Sequence, residues 1–310
     1  MTVKMATREA YGKTLVKVGE RKEDLIVMDA DLSGSTKTGD FKKVFPERFI
    51  NVGIAEQNLY AAAAGLALSG KTVCASTFAM FAAGRAFEII RNSIGYTKAN
   101  VKICATHAGI TVGEDGASHQ TFEDLALMRT IPGMVVVNPC DGASAQTLLE
   151  QVIDMEGPAY VRLGRASVPM FYEEGTQLEI GKGHQLKDGK DLTIIATGIM
   201  VNEAMIAAEE LEKDGLTVRV IDMHTIKPLD EEIIIKAALE TGKIVTAEEH
   251  SVIGGLGGAV AEVTAAKAPC KVVRVGQLDT FGESGKPEEL KEKYKMNAKA
   301  IVEKVREELL

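Results

Sequence analysis

The chain is 310 residues long, 45% hydrophobic and 26% charged, with a formal net charge of -8 at neutral pH. That length suits two ordinary domains with a full core, and the acidic balance disfavours a nucleic-acid or anionic-membrane partner, since both need a positive field. Cys74, Cys104, Cys140 and Cys270 are widely spaced without a CxxC pair, which excludes a disulfide framework or zinc site and reads as buried thiols of a reducing compartment.

The opening "MTVKMATREAYG" has no apolar signal region, and no stretch reaches the ~20 apolar residues of a membrane span, so a cytoplasmic protein is expected. Short β-branched runs over 24–31, 71–77, 101–107, 134–139 and 159–163 predict buried strands. Between them "TREAYGKTLVKVGE", "NLYAAAAGLALS", "AGRAFEIIRNSIG" and "DGASAQTLLEQVIDM" predict helices. That alternation predicts an α/β fold: a doubly wound, mainly parallel sheet covered on both faces. The text then turns rich in glycine and charge and loses helical period, placing a linker over 173–190 between a first domain, 1–172, and a second, smaller α/β domain, 191–310.

Ligands of open α/β sheets bind beyond the carboxyl ends of the strands. The first strand is followed by Asp31, Ser33, Ser35 and Thr36, the second by Thr77, Phe78 and Phe81, the third by His107 and the fifth by Arg165. The segment "HAGITVGEDGASHQ" (107–120) is the most informative, because it joins two histidines, His107 and His119, to Asp115 in a glycine-rich stretch. Imidazoles titrate near neutrality and a carboxylate accepts hydroxyl hydrogen bonds, which suits polyol or phosphate ligands and proton transfer. A solvated surface loop is the plain alternative, and one lone histidine would favour it.

Glu56, in "INVGIAEQN", opens a helix of small apolar residues that must be buried. An acid in a first helical turn gains about 0.3–1 kcal/mol from the unpaired N–H groups there. That accounts for its position but not for apolar surroundings, where an ionised carboxylate needs a donor or a cation. Phe78 and Phe81 have a core reading, while Arg8, Ser35 and Arg165 singly read as surface or capping residues. "GGLGG" (254–258) resembles a phosphate loop weakly, and tight packing of a helix start is its commoner explanation.

Taken together, "MDADLSGST", "VGIAEQN", "STFAMFAAGRAFEIIR", "ATHAGITVGEDGASHQTFEDLALMRTIPGMVVVNP" and "YVRLGR" resemble the pyrimidine-binding domain of transketolases. The following domain, best through "IDMHTIKPLD", resembles their C-terminal domain. The resemblance implies that Glu56 bonds N1′ of the aminopyrimidine of thiamine diphosphate and favours the imino form that deprotonates the thiazolium, the cofactor supplying the carbanion chemistry. It implies that Phe81 stacks on the pyrimidine, with Phe78 and Asp31 beside the cofactor. His119 and Asp115 would contact the substrate's hydroxyls and carbonyl, and Arg8, Ser35, His107 and Arg165 would bind its phosphate. Two arginines and a histidine around a dianion make a local cationic pocket compatible with the acidic whole.

The family holds the diphosphate and Mg²⁺ with a separate domain carrying a GDG motif, whereas this chain has "EDG" at 114–116 and "KDG" at 187–189 and 213–215. The resemblance therefore implies the C-terminal half of a split transketolase, with no metal ligands of its own. Its N-terminal partner subunit would hold Mg²⁺, and the assembly would be α₂β₂. Deoxyxylulose phosphate synthase and the β subunits of 2-oxo acid dehydrogenases share the superfamily, but the first typically carries arginine at the place of His107 and the second lacks "EDGxxHQ". A noncatalytic assembly or regulatory subunit is the alternative of another class.

Overall fold

The computed structural model describes residues 4–310. The first sheet has seven strands, in the spatial order Thr225–Lys227, Val135–Val137, Ala159–Arg162, Val101–Thr106, Thr72–Phe78, Leu25–Asp29 and Phe49–Asn51. All pairs are parallel except the edge pair, where Thr225–Lys227 runs antiparallel to Val135–Val137. The second sheet orders Lys271–Gln277, Lys243–Ser251, Leu192–Ala196, Val218–Asp222 and His184–Lys187, the last antiparallel to its neighbour. Lys4–Met5 and Val168–Pro169 form a small antiparallel ribbon.

Neighbouring strand residues serve different cores, as alternating side chains must. Val27, Cys74, Cys104, Val137 and Val161 enter one apolar cluster, while Met28, Ala75, Ala105, Val136 and Tyr160 enter the other. Both clusters take residues from both domains, so the two α/β units share cores. The helix Glu56–Leu68 shows how local sequence sets this packing. Alanine and leucine give it high helix propensity, and Leu59, Tyr60, Ala63, Ala64 and Ala67 fall on one buried face. It stops at Ser69-Gly70, where Gly70 takes φ +91° and its N–H reaches the Ala67 carbonyl at 3.0 Å.

Four features depart from the sequence reading. Residues 184–187, inside the segment read as linker, form a strand; its half-exposed edge position leaves no apolar run to read. Thr225–Lys227 of the second domain completes the first domain's sheet. The segment 83–95, read as a helix, lies across π-helical turns over Phe81–Arg85 and Ile90–Tyr96. Residues 110–115, read as loop, form 3₁₀ turns with a kink at Gly113.

Candidate functional site

The strand order reverses direction between Leu25–Asp29 and Thr72–Phe78: the chain grows outward to Phe49–Asn51 on one side, then returns and grows the other way. The crevice at such a switch point is where α/β sheets accept ligands. Beyond the first of these strands, buried Asp29 accepts hydrogen bonds from Thr36 Oγ1 at 2.6 Å, Thr38 Oγ1 at 2.9 Å and the Leu32 N–H at 2.5 Å. This fixes the turn that carries Asp31 and Ser35. Asp31 has φ +65° and exchanges hydrogen bonds with the Asn51 amide, at 3.0 and 3.1 Å, and Asn51 Oδ1 also accepts from the Gly53 N–H at 3.0 Å. The Asp31 turn is thereby tied to the segment leading into Glu56.

Glu56 is 2% exposed at the first position of its helix. Its partner is within the chain: Arg85 Nη1 donates to Glu56 Oε2 at 2.8 Å, and the Arg85 side chain is 50% exposed. The same guanidinium lies over the Phe81 ring, 4.7 Å from its centroid. Phe81 stacks with Phe78, centroids 6.1 Å apart and planes 16° from parallel, and Phe78 stacks on the His107 imidazole at 3.9 Å. His119 sets its edge against Phe81 at 5.3 Å. A continuous aromatic path thus runs from the carboxylate to both histidines.

His107 is buried and, like Asp31, has a left-handed backbone, φ +57°. Such a conformation costs a non-glycine residue about 1 kcal/mol or more and is held by its surroundings. Arg8 Nη1 lies 3.3 Å from His107 Nε2 and donates to the Ser35 carbonyl at 2.7 Å. Arginine can only donate, so Nε2 accepts, and the ring proton belongs on Nδ1, 2.9 Å from Thr106 Oγ1. Burial, then the charges of Arg8 and Arg165 and the neighbouring His119, lower the His107 pKa to about 3. Ser35 meets Arg8 through its carbonyl rather than its hydroxyl.

Arg165 donates to Glu114 Oε2 at 2.8 Å and to the Val112 carbonyl. Asp115 is exposed and takes no part in these hydrogen bonds or ion pairs, so it neighbours the cluster in sequence without being joined to it. The second domain holds the 107–120 segment in place. Glu249 Oε1 accepts the Thr111 N–H at 2.7 Å, Gln120 Nε2 donates to the Glu283 carbonyl at 2.9 Å, and Ser284 Oγ donates to the Glu114 carbonyl at 2.6 Å. Gly109, φ +78°, lets Glu249 approach so closely that a Cβ there would sit 2.3 Å from its carboxyl carbon. Below this contact Arg162 binds Asp124 at 2.8 Å and the Glu249 carbonyl at 2.9 Å, all three side chains being buried.

Sequence reasoning did not single out Arg85, Asn51, Arg162 or Glu249. Arg85 stands within a quoted stretch, but nothing in the text marks the π-turn that aims it. "GGLGG" is a packed helix start: Glu248 accepts the Leu256 and Gly257 N–H groups at 2.7 and 2.8 Å, so a carboxylate of the chain caps it. The four cysteines are free thiols, three of them buried. Among the described residues no three His, Cys, Asp or Glu side chains cluster as a metal site, and no helix is long and apolar enough to cross a membrane. Two hollows of about 420 and 510 Å³ share Leu278 and Phe281 and include none of the candidate residues.

Residues 3–170 match the family described as the transketolase pyrimidine binding domain, and residues 181–301 the transketolase C-terminal domain. A Methanocaldococcus jannaschii protein provisionally named a transketolase C-terminal section is 53% identical over 305 residues, covering 97% of this chain and 96% of that protein. A 6-deoxy-6-sulfo-D-fructose transketolase subunit of Clostridium sp. (strain MSTE9) is 41% identical over 295 residues, covering 95% and 92%. A solved structure described as a split gene transketolase, inactive beta4 tetramer, superposes with a TM-score of 0.92 at 55% identity, covering 98% of both chains. With both family domains in order and the carboxylate, aromatic pair and histidines gathered at the switch point, the chain belongs to the transketolase family.

Proposed function

We propose that the chain is the C-terminal subunit of a split transketolase, moving a two-carbon ketol unit between sugar phosphates with thiamine diphosphate as cofactor. The observation that carries this is the buried Glu56 carboxylate beside the half-buried Phe81 ring, with His107 and His119 on the same aromatic path. An aminopyrimidine needs a carboxylate at its edge and an apolar surface for its ring, and Glu56 and Phe81 fit both needs. The planar donor found there, the Arg85 guanidinium, satisfies the same two groups. The bound cofactor would supply the carbanion that carries the two-carbon unit.

The roles assigned to this chain's residues are those the family resemblance implies. Glu56 holds a proton-bearing ring nitrogen, with Phe81 and Phe78 as the ring's platform and Asp31 at its margin. His119, half-buried on Phe81, faces the reacting end and exchanges protons with substrate oxygens, and Asp115 takes a sugar hydroxyl from the solvent side. Arg8, His107, Arg165 and the Ser35 turn receive the substrate phosphate, with the guanidinium groups supplying the charge. The diphosphate and Mg²⁺ fall to an N-terminal partner subunit carrying the GDG motif, in an α₂β₂ assembly. The similarity to a C-terminal section and to a split gene transketolase described as an inactive beta4 tetramer supports that division. The relative acting on a sulfosugar leaves the sugar itself open.

The test is the Glu56→Gln variant assembled with the partner and assayed for ketol transfer from xylulose 5-phosphate. Turnover should fall by about 100-fold or more with assembly intact, the scale of a lost proton-transfer group. Unchanged turnover, or full activity of the unmodified chain without a partner, would refute the reading.

A further inference from the structure

Among the described residues, Arg85 is the one cationic side chain that touches both Glu56 and Phe81. Its guanidinium is planar, donates to the Glu56 carboxylate at 2.8 Å and covers the Phe81 ring at 4.7 Å. A ring bonded to Glu56 and stacked on Phe81 would need the same space and the same acceptor oxygen. We propose that Arg85 is an internal competitor of the cofactor's pyrimidine: it occupies the pyrimidine's place against Glu56 and Phe81, and it must swing out for the ring to enter. This rests on the assignment of Glu56 and Phe81 to the cofactor.

Three properties of the pair support a displaceable plug over a fixed structural bridge. First, its halves are unequal: Glu56 is 2% exposed and set in a helix start, while Arg85 is half in solvent on a long side chain. The cation is therefore the half that can leave, and water receives it at little cost. Second, Arg85 closes the π-helical turn Phe81–Arg85, flanked by Met80 and Ala86. Such turns insert one residue into a helix and recur at functional sites. Here the turn brings a side chain four positions along back over the ring that begins it. Third, Glu56 accepts no other side-chain or backbone donor among the described residues, so loss of Arg85 leaves a buried carboxylate open to the next planar donor.

The consequence is that the chain selects for entrants able to outbid a guanidinium. A ring without a donor edge leaves Arg85 in place, and a bare diphosphate offers Glu56 nothing. Arg85 also shields the carboxylate from inorganic cations and water.

The test is a calorimetric titration of thiamine diphosphate with Mg²⁺ into the partner-assembled protein, as wild type and as the Arg85→Met, Arg85→Lys and Glu56→Gln variants. Met keeps the apolar stem and removes the competitor. Arg85→Met should bind about three- to tenfold more tightly, the scale of a partly exposed ion pair, and Arg85→Lys should lie between it and wild type. Equal or weaker binding by Arg85→Met overturns the proposal, because Arg85 would then be a bystander or a cofactor contact. Glu56→Gln separates the two levels. Weaker binding by Glu56→Gln upholds the site assignment whatever Arg85 does, and unchanged binding by Glu56→Gln overturns both.

Discussion

His107 combines a strained backbone, a stacked ring and two arginines, and its protonation follows from them. Its folded pKa, about 3, lies below the ordinary value of 6.5. The folded state therefore disfavours the proton, and the stability this implies is present above pH 6.5 and lost as pH falls towards 3. Through the neutral range the imidazole is uncharged, able to donate one hydrogen bond and accept another. Burial is the larger cause and Arg8 the next, so Arg8→Met should raise the His107 midpoint part of the way towards 6.5. An NMR titration of the imidazole protons reads this, and a midpoint that stays near 3 would show that Arg8 has no electrostatic hold on the ring. The sequence offered His107 and Glu56 as candidates because their residue types are costly or unusual beside glycine and alanine, and Phe81 only through the family resemblance. It did not offer Arg85, since an arginine on a helix is ordinary until the turn that aims it is known.

At the scale of elements, the site segment 107–120 is held by a neighbour distant in sequence. The strand Lys243–Ser251 brings Glu249 to the Thr111 N–H, and Arg162, from the strand Ala159–Arg162, pairs with Asp124 and lies 3.9 Å from the Glu249 carboxylate, all three side chains being buried. Burial alone would raise the Asp124 pKa, but the charges of Arg162 and His250 bring it below the usual value. Replacing Arg162 by Met strands two buried carboxylates, and should cost about 3–5 kcal/mol, read as a lowered midpoint in urea unfolding. The inner strands of both sheets were legible because burial on two faces leaves continuous apolar runs. Phe49–Asn51 was not, being a three-residue edge strand with Ile50 and Asn51 exposed. Likewise the π-turns share the composition of an α-helix and differ only in hydrogen-bond register, which a pattern of apolar residues does not record.

For the molecule as a whole, the two domains are joined through groups that titrate. Tyr172, at the end of the first domain, donates to Asp222 Oδ2 at 2.9 Å, and Asp222 ends a strand of the second sheet. Burial raises the Asp222 pKa from 3.8 to about 7. The folded state thus holds this proton more tightly than the unfolded chain, and the associated stability is full below pH 3.8 and lost as pH rises through about 7. Asp222→Asn keeps an acceptor for Tyr172 and removes the charge, so it should stabilise the protein at pH 8, by ~4 kcal/mol at most, with little effect near pH 4. Urea unfolding at the two pH values measures it. The sequence divided the chain into two α/β domains correctly in kind, but a boundary drawn through glycine and charge cannot register that the domains exchange a strand.

That exchanged strand bears on how such a gene could be divided. Thr225–Lys227 covers Val135–Val137, three valines in a row whose outer backbone groups would otherwise be free to pair with any passing chain. A reading frame broken between the two domains would release a first half with an adhesive flank and a second half missing its anchor. Fission of the coding sequence would therefore be penalised between these domains, and they would be inherited as one piece.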